Sequence, residues 1–191
     1  MPLGAARFGL LGGVADLGKL ELIETQTITT DTTVDFTSID ENTYNVHFLT
    51  YNNMRYTSPV GNVIPYYRLS NDGGSTFEST NYISTAQFNT ANGLATALTT
   101  QTTYGHLNGN QSSSTINKWG GYAYLYNLGD NTKYSFATFH STGFYSADTS
   151  QSTTFGSSVY TVAETINAIR LSVDTTTLSS GTISLYGIAE S

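Results

Sequence analysis

Hydrophobic and polar residues alternate with a period of two along much of the chain, and clusters of Gly, Asn, Asp and Ser interrupt the alternation. This alternation is typical of half-buried strands, and such clusters are typical of turns. In the run 133–144 it places Phe136 and His140 on one face and Ala137 and Phe139 on the other. The pattern predicts strands at Lys19–Thr29, Thr33–Ile39, Thr43–Tyr51, Val63–Ser70, Ser75–Ile83, Gly121–Leu128, Lys133–Phe144, Ser158–Val162, Ala168–Val173 and Gly181–Ile188. Short strands at this spacing predict an all-β, antiparallel β-sandwich, with a jelly roll as the expected arrangement.

Three segments between or beside these strands have a different character. Asn127–Thr132 separates two aromatic strands and contains a glycine, which predicts a short hairpin loop. Ala86–Thr100 is the segment in which one short helix is expected. Thr99–Ser114 is polar and has no clear period, so it is predicted to be an exposed loop, where recognition residues often lie.

The first eighteen residues depart from the β pattern, because they are apolar and rich in glycine. Glycine weakens a helix by roughly 1 kcal/mol relative to alanine, and no alternation favours a strand here. We therefore expect residues 1–18 to form an extended N-terminal docking arm, followed by a β-sandwich domain over residues 19–191. The side chains expected to dock are Leu3, Arg7, Phe8, Leu10 and Leu11.

Other interpretations of this arm are a signal peptide, a membrane span and a segment that packs on its own domain. A signal peptide has an unbroken apolar core after a basic start, whereas glycines interrupt the apolar run here. A membrane span needs about 20 apolar residues, a length that the sequence does not contain, so no membrane insertion is expected. Packing on its own domain stays open as an alternative to docking on another molecule.

Composition narrows the classes of partner. The formal net charge is −7 and only 11% of the residues are charged, while the seven basic residues are scattered along the sequence. Nucleic-acid binding requires clustered Lys and Arg, so we expect none. The chain has no cysteine, which excludes disulfides and thiolate chemistry. Stability must then come from packing, and association between copies is expected to contribute.

The sharpest local motif is Ser70-Asn-Asp-Gly-Gly-Ser-Thr-Phe77, which matches the Asp-box pattern Ser-x-Asp-x-Gly-x-Thr-Phe. Asp72 can accept backbone N–H groups across the turn, and Gly74 can adopt a φ that other residues avoid. Thr76 and Phe77 complete the pattern, with the phenyl ring expected in the core. The motif therefore predicts a braced hairpin with a structural role.

No catalytic, cofactor or metal site is expected. The sequence lacks Gly-x-Ser-x-Gly, a phosphate-binding glycine loop and a metal-like histidine spacing, and its acidic residues are dispersed. His47 and His140 lie in predicted strands and are expected to be structural. Tyr104 and His106 lie in the polar 99–114 segment, which makes them the candidate ligand loop.

Several segments resemble small virion-associated proteins of marine tailed phages, cyanophages especially. The similarity lies in Gly4–Leu10, Leu20–Thr27, Tyr44–Thr50, Leu125–Phe136, Ile166–Leu171 and Ser180–Ile188, and extends over nearly the whole chain. It implies a fold and a setting rather than an activity. No catalytic residues carry over from this family.

Together, the pattern and the resemblance imply a non-enzymatic surface protein of a phage virion. A tail fibre, a knob or a capsid decoration subunit would fit, assembled in the host cytoplasm. The expected form is a homotrimer whose arms contact other virion proteins in the capsid or tail. The alternative is a carbohydrate-binding adhesin in which tyrosine-rich loops bind a glycan on the host surface.

Overall fold

The computed structural model describes residues 19–57, 63–93, 95–99, 103–109, 118–145 and 150–189, and it contains strands but no helix within those ranges. The N-terminal arm proposed from the sequence, residues 1–18, lies outside the described residues. Among the described residues, no helix is long and apolar enough to span a membrane. The strands are β1 (Leu20–Ile28), β2 (Thr33–Phe36), β3 (Val46–Tyr56), β4 (Pro65–Ser70), β5 (Tyr82–Thr90), β6 (Ala95–Thr99), β7 (Gly105–His106), β8 (Trp119–Tyr126), β9 (Ser135–Tyr145), β10 (Ser150–Tyr160), β11 (Ala168–Val173) and β12 (Leu178–Ile188).

The strands form two antiparallel sheets, which confirms the predicted all-β sandwich. The large sheet has eight strands in the order β1-β12-β3-β8-β9-β10-β5-β6, and the small sheet has four in the order β2-β11-β4-β7. Most neighbours in each sheet are distant in sequence, because strands from the two ends of the chain pair with strands from its middle. Each sheet is therefore complete only when the whole domain has folded.

Three elements differ from the sequence prediction. The strand predicted at Ser75–Ile83 overlaps β5 only at its last two residues, because residues 75–81 belong to the Asp-box crossing between the sheets. The segment 86–100 contains no helix in its described part: β5 and β6 pair as a hairpin around a turn in which Gly93 has a φ of 88°. The strand predicted at Ser158–Val162 is only the end of β10, which begins at Ser150. The latter two segments are rich in Ala, Ser or Thr, so their intrinsic preference is weak and the pairing with neighbouring strands decides their conformation.

The core lies between the sheets and is rich in tyrosine. Tyr51, Tyr67 and Tyr82 are each at most 1% exposed. The Tyr67 hydroxyl in the small sheet is 2.6 Å from Oγ of Ser158 in the large sheet, and the backbone N–H of Leu69 donates to the Tyr82 hydroxyl at 2.9 Å. These bonds satisfy buried polar groups and join the two sheets directly.

Candidate functional site

The outer surface of the large sheet, which we call the large-sheet face, carries an apolar row across seven strands. The strand registers place these residues side by side. Leu20 is 55% exposed, Phe136 45% and Ile83 51%. In spatial order the row is Leu20, Ile188, Val46, Tyr126, Phe136, Val159 and Ile83.

Two further rows of the large-sheet face run parallel to the first and are aromatic at their centres. In the second row, the rings of Phe48 and Tyr124 lie 4.7 Å apart and those of Phe48 and Tyr186 lie 6.2 Å apart. In the third row, the rings of Tyr122 and His140 lie 5.9 Å apart at right angles. Neighbouring aromatic rings in contact form a rigid, largely apolar surface.

An open groove of about 710 Å³ follows these rings. Tyr122, Tyr124 and Tyr126 form one wall, and Phe155 and His140 lie across from them. Phe155 is 50% exposed. The groove is shallow and accessible, which suits a broad contact better than an enclosed small-molecule site.

In spatial order the second row is Leu22, Tyr186, Phe48, Tyr124, Thr138, Ser157 and Thr85, and the third is Thr25, Ser184, Thr50, Tyr122, His140, Phe155 and Gln87. None of the three rows contains a Lys, Arg, Asp or Glu side chain. Aromatic enrichment and charge depletion distinguish the core of a protein interface from the ordinary protein surface. A contiguous exposed apolar patch of this kind usually marks an interaction site. The large-sheet face therefore has the chemistry of an interface.

The sequence pattern does not identify this surface as a site. The signal for it was Tyr122-Ala-Tyr124-Leu-Tyr126, in which every second residue is tyrosine while the residues between them, Ala123 and Leu125, are buried. Both sets are hydrophobic, so the alternation could not show that the tyrosine side faces away from the core.

On the opposite side of the sandwich, the outer surface of the small sheet carries charges and rings together. We call it the small-sheet face. Arg170 binds the Asp35 carboxylate with two hydrogen bonds of 2.7 and 2.6 Å and lies 4.0 Å from the Phe77 ring centroid. Arg68 lies 5.4 Å from the ring centroid of Tyr66.

Tyr104 and His106, the candidate ligand residues, both contact this region but differ in exposure. The Tyr104 ring stacks on the Tyr66 ring at 4.4 Å and is half-buried. His106 is only 1% exposed, and this burial lowers the pKa of its imidazole. The predicted exposed loop is wrong for residues 105–109, which are buried; a direct contact of His106 with a ligand would need that segment to move.

The Asp-box residues form the brace that the motif predicted. The Asp72 carboxylate accepts the backbone N–H of Thr76 at 2.9 Å and its hydroxyl at 2.7 Å, and Ser70 Oγ lies 2.8 Å from the same carboxylate. These hydrogen bonds lower the pKa of Asp72 to about 2, and the bond from the Thr76 N–H has the largest effect. Gly74 has a φ of 86°, which favours glycine.

The brace does not close a hairpin, however. β4 belongs to the small sheet and β5 to the large one, so the motif braces a crossing between sheets. Asn167 holds it from the other side, accepting the Gly73 N–H at 2.8 Å. Phe77 is half-buried under Arg170 rather than inserted in the core.

The remaining histidines occupy different surroundings. His47 is fully buried, its Nε2 lies 2.7 Å from the Ile39 carbonyl oxygen, and burial lowers its pKa. His140 lies on the large-sheet face, 3.1 Å from the Thr153 hydroxyl. Within the described ranges, no three His, Asp or Glu side chains cluster closely enough to hold a metal ion.

No protein-family model, no curated protein and no solved structure matches this chain.

Proposed function

We propose that the chain is a non-enzymatic structural protein of a phage virion surface, whose copies associate through the large-sheet face. The observation that carries the proposal is the set of three uncharged rows, aromatic at their centres, on that face. Fully burying a large apolar side chain contributes about 1.5–3 kcal/mol before the ordering costs of association. Several half-exposed apolar side chains in register can therefore stabilise a subunit contact.

The strand order supports a finer assignment, a jelly roll with two insertions. Without β5, β6, β9 and β10, the remaining strands follow the orders β1-β12-β3-β8 and β2-β11-β4-β7. Two four-stranded sheets paired in this way are the arrangement of an eight-stranded jelly roll, a fold used by viral capsid and lectin domains. The inserted strands then extend one sheet and widen the large-sheet face. Fold alone does not decide between these roles.

The virion setting rests on the sequence resemblance, and so does the choice of a homotrimer. In this proposal residues 1–18 dock into a capsid, tail or neighbouring subunit, and repeated copies add avidity. Deletion of residues 2–17 is expected to reduce incorporation into virions while the domain still folds. Normal incorporation of the deletion variant would contradict the role of the arm.

The association is tested by size-exclusion chromatography with light scattering. We expect the wild-type chain to have a trimer mass and Phe136→Lys to have a monomer mass, because a buried ammonium group is strongly unfavourable. Ser79→Lys is the matched control, since Ser79 is exposed on the β4–β5 connection and the charge change is similar. A monomeric wild type at high concentration, or a Phe136→Lys variant that stays associated, would contradict the proposed interface.

A carbohydrate-binding adhesin is the second candidate, favoured by the groove on the same face. Its rings are flanked by the hydroxyl groups of Thr138 and Ser157, a combination that can stack on a sugar ring and bind its hydroxyls. This alternative requires the groove to be free, so it predicts that copies do not associate through the large-sheet face. Glycan-array binding that is lost in Tyr122→Ala, together with a monomer mass, would favour it over subunit association.

A further inference from the structure

The small-sheet face contains an arginine whose charge is not neutralised by a neighbouring carboxylate. The cross-strand partner of Arg68 is Arg170, and Arg170 is held by Asp35 in the ion pair described above. Among the described residues, Arg68 itself makes no ion pair. Two like charges directly opposite each other are unfavourable, so the pair retains one positive charge that an anion could stabilise.

The Arg68 side chain is also held in place. Its Nε donates to the Thr103 carbonyl oxygen at 3.1 Å, and its guanidinium carbon lies near the Tyr66 ring. This hydrogen bond uses one of the five N–H donors of the guanidinium group. The terminal nitrogens donate to no described residue, and two such nitrogens match the two oxygens of a carboxylate or a sulfate.

A stacked pair of rings lies beside this guanidinium group. Tyr104 stacks on Tyr66, and Tyr66 is the ring over which Arg68 lies. Tyr104 remains half-exposed. Burial and the negative charge of Asp174 raise the pKa of Tyr104, and the Asp174 carboxylate itself accepts the Ile64 N–H at 2.9 Å. A fixed cation next to an accessible aromatic surface suits a ligand that has both a negative group and a flat apolar side.

We propose that the small-sheet face binds an anionic saccharide, with Arg68 binding its carboxylate or sulfate and Tyr104 contacting the C–H face of the sugar ring. The chain as a whole is acidic, with a formal net charge of −7, so general attraction does not favour a polyanion. Binding must then depend on local contacts. The site does not depend on subunit association, because the two outer faces of a sandwich point in opposite directions.

The test measures binding of the full chain to oligogalacturonate, which carries carboxylates, to dextran sulfate, and to unmodified dextran. We expect binding to at least one of the two anionic saccharides at about 150 mM salt and none to dextran. Binding to oligogalacturonate alone assigns a carboxylate ligand, and binding to dextran sulfate alone assigns a sulfate ligand. Absence of binding to both would overturn the proposal.

Matched variants then locate the site. Arg68→Gln is expected to weaken binding by about tenfold or more, and Arg68→Lys by less, because lysine keeps the charge but loses the paired donors. Lys133→Gln changes the net charge equally at a distant ion pair and should leave affinity within about twofold. Tyr104→Ala should weaken binding to the saccharide. Each variant is first compared with the wild type by near-ultraviolet circular dichroism, so that a folding defect is recognised.

Two results would contradict the assignment to Arg68. One is a wild-type affinity of Arg68→Gln for the saccharide. The other is a loss of affinity in Lys133→Gln as large as that in Arg68→Gln, which would indicate nonspecific electrostatic attraction. Unchanged affinity of Tyr104→Ala would overturn the aromatic contact. If Arg68→Gln fails to fold, Arg68→Lys decides, since wild-type affinity in that variant contradicts recognition by paired N–H donors.

Discussion

Hydrogen bonds of buried tyrosine hydroxyl groups join the two sheets. Burial raises the pKa of Tyr67 to about 12, so its hydroxyl remains protonated over the ordinary pH range and can donate to Ser158. The Tyr51 hydroxyl is also satisfied, within the large sheet by Ser141 Oγ at 2.7 Å and beyond β7 by the Leu107 carbonyl oxygen at 2.9 Å. An apolar ring with a polar tip can thus cross the core and still satisfy its hydroxyl group.

The first prediction concerns this bond. Tyr67→Phe is expected to lower the free energy of unfolding by about 1–2 kcal/mol, because it removes one buried hydrogen bond and leaves Ser158 without its partner. Tyr134→Phe removes a hydroxyl from a tyrosine that is 47% exposed, and it should have almost no effect. Urea denaturation of both variants measures the difference. Equal stability of the two variants would show that the inter-sheet bond contributes little.

The second prediction concerns the two buried histidines, His47 and His106. Burial lowers the pKa of both, so below about pH 6.5 the unfolded chain takes up protons that the folded chain does not. Stability is therefore complete above that pH and falls as the pH decreases, by at most about 1.4 kcal/mol per pH unit for each histidine. Denaturation between about pH 7 and pH 5 measures this slope.

Substitution assigns the slope to these residues. His47→Gln and His106→Gln should each reduce the pH dependence, whatever they do to stability at neutral pH. If the slope of His47→Gln equals that of the wild type, His47 is not responsible for the acid sensitivity.

At the scale of elements, the Asp-box turn fixes the point where the chain passes from the small sheet to the large sheet. The third prediction is that Asp72→Asn lowers the midpoint of thermal unfolding at pH 7. The folded pKa of Asp72, about 2, is below the unfolded value of about 3.9, so its contribution is present above pH 4 and is lost as the pH falls toward 2. The wild type and Asp72→Asn should therefore become equally stable at low pH.

The control for this prediction is Glu78→Gln. Glu78 lies just after the motif, and its carboxylate accepts no hydrogen bond from the described residues. Its substitution should change the unfolding midpoint little at any pH. If the unfolding midpoints of wild type and Asp72→Asn still differ by the same amount at pH 2, the loss of the carboxylate charge does not explain the lower stability of the variant.

The sequence predicted elements well where their conformation depends on neighbouring side chains. It predicted them poorly where their conformation depends on pairing with strands that are distant in sequence. The alternation around Phe136 and Phe139 assigned the faces of β9 correctly, because one face is buried and the other is not. The Asp-box turn was predictable because all of its main hydrogen bonds lie within a few residues. By contrast, the assignment of β4 and β5 to different sheets depends on partners that are distant in sequence.

The candidate site shows the same division. Arg68, Tyr66 and Tyr104 are separated by up to 38 positions in sequence, and only the pairing of β4 with β7 brings their segments together. No local motif connects them. The sequence placed His106 in the same polar segment as Tyr104, but its burial depends on contacts with residues distant in sequence, such as its register partner Tyr66, and could not be inferred from a polar neighbourhood.

At the scale of the whole molecule, the sandwich presents two outer faces of opposite chemistry. The three rows of the large-sheet face are uncharged and aromatic at their centres, whereas the small-sheet face carries Arg68, Arg170 and Asp35 beside half-buried rings. Assembly through the first would leave the second directed away from the contact. If both proposals hold, one chain has a surface for subunit contacts and a separate surface for a ligand.

The last prediction tests that division with single cysteines, since the natural sequence contains none. Thr138→Cys places a thiol on the large-sheet face next to Tyr124, and Thr33→Cys places one at the edge of the small-sheet face. A thiol buried in a subunit contact reacts slowly with a maleimide, because the reagent reaches it only after dissociation. We therefore expect labelling of Thr138→Cys to slow as protein concentration rises, and labelling of Thr33→Cys to stay constant. Equal concentration dependence at both positions would contradict association through the large-sheet face, and slowing at Thr33→Cys alone would assign the contact to the opposite side.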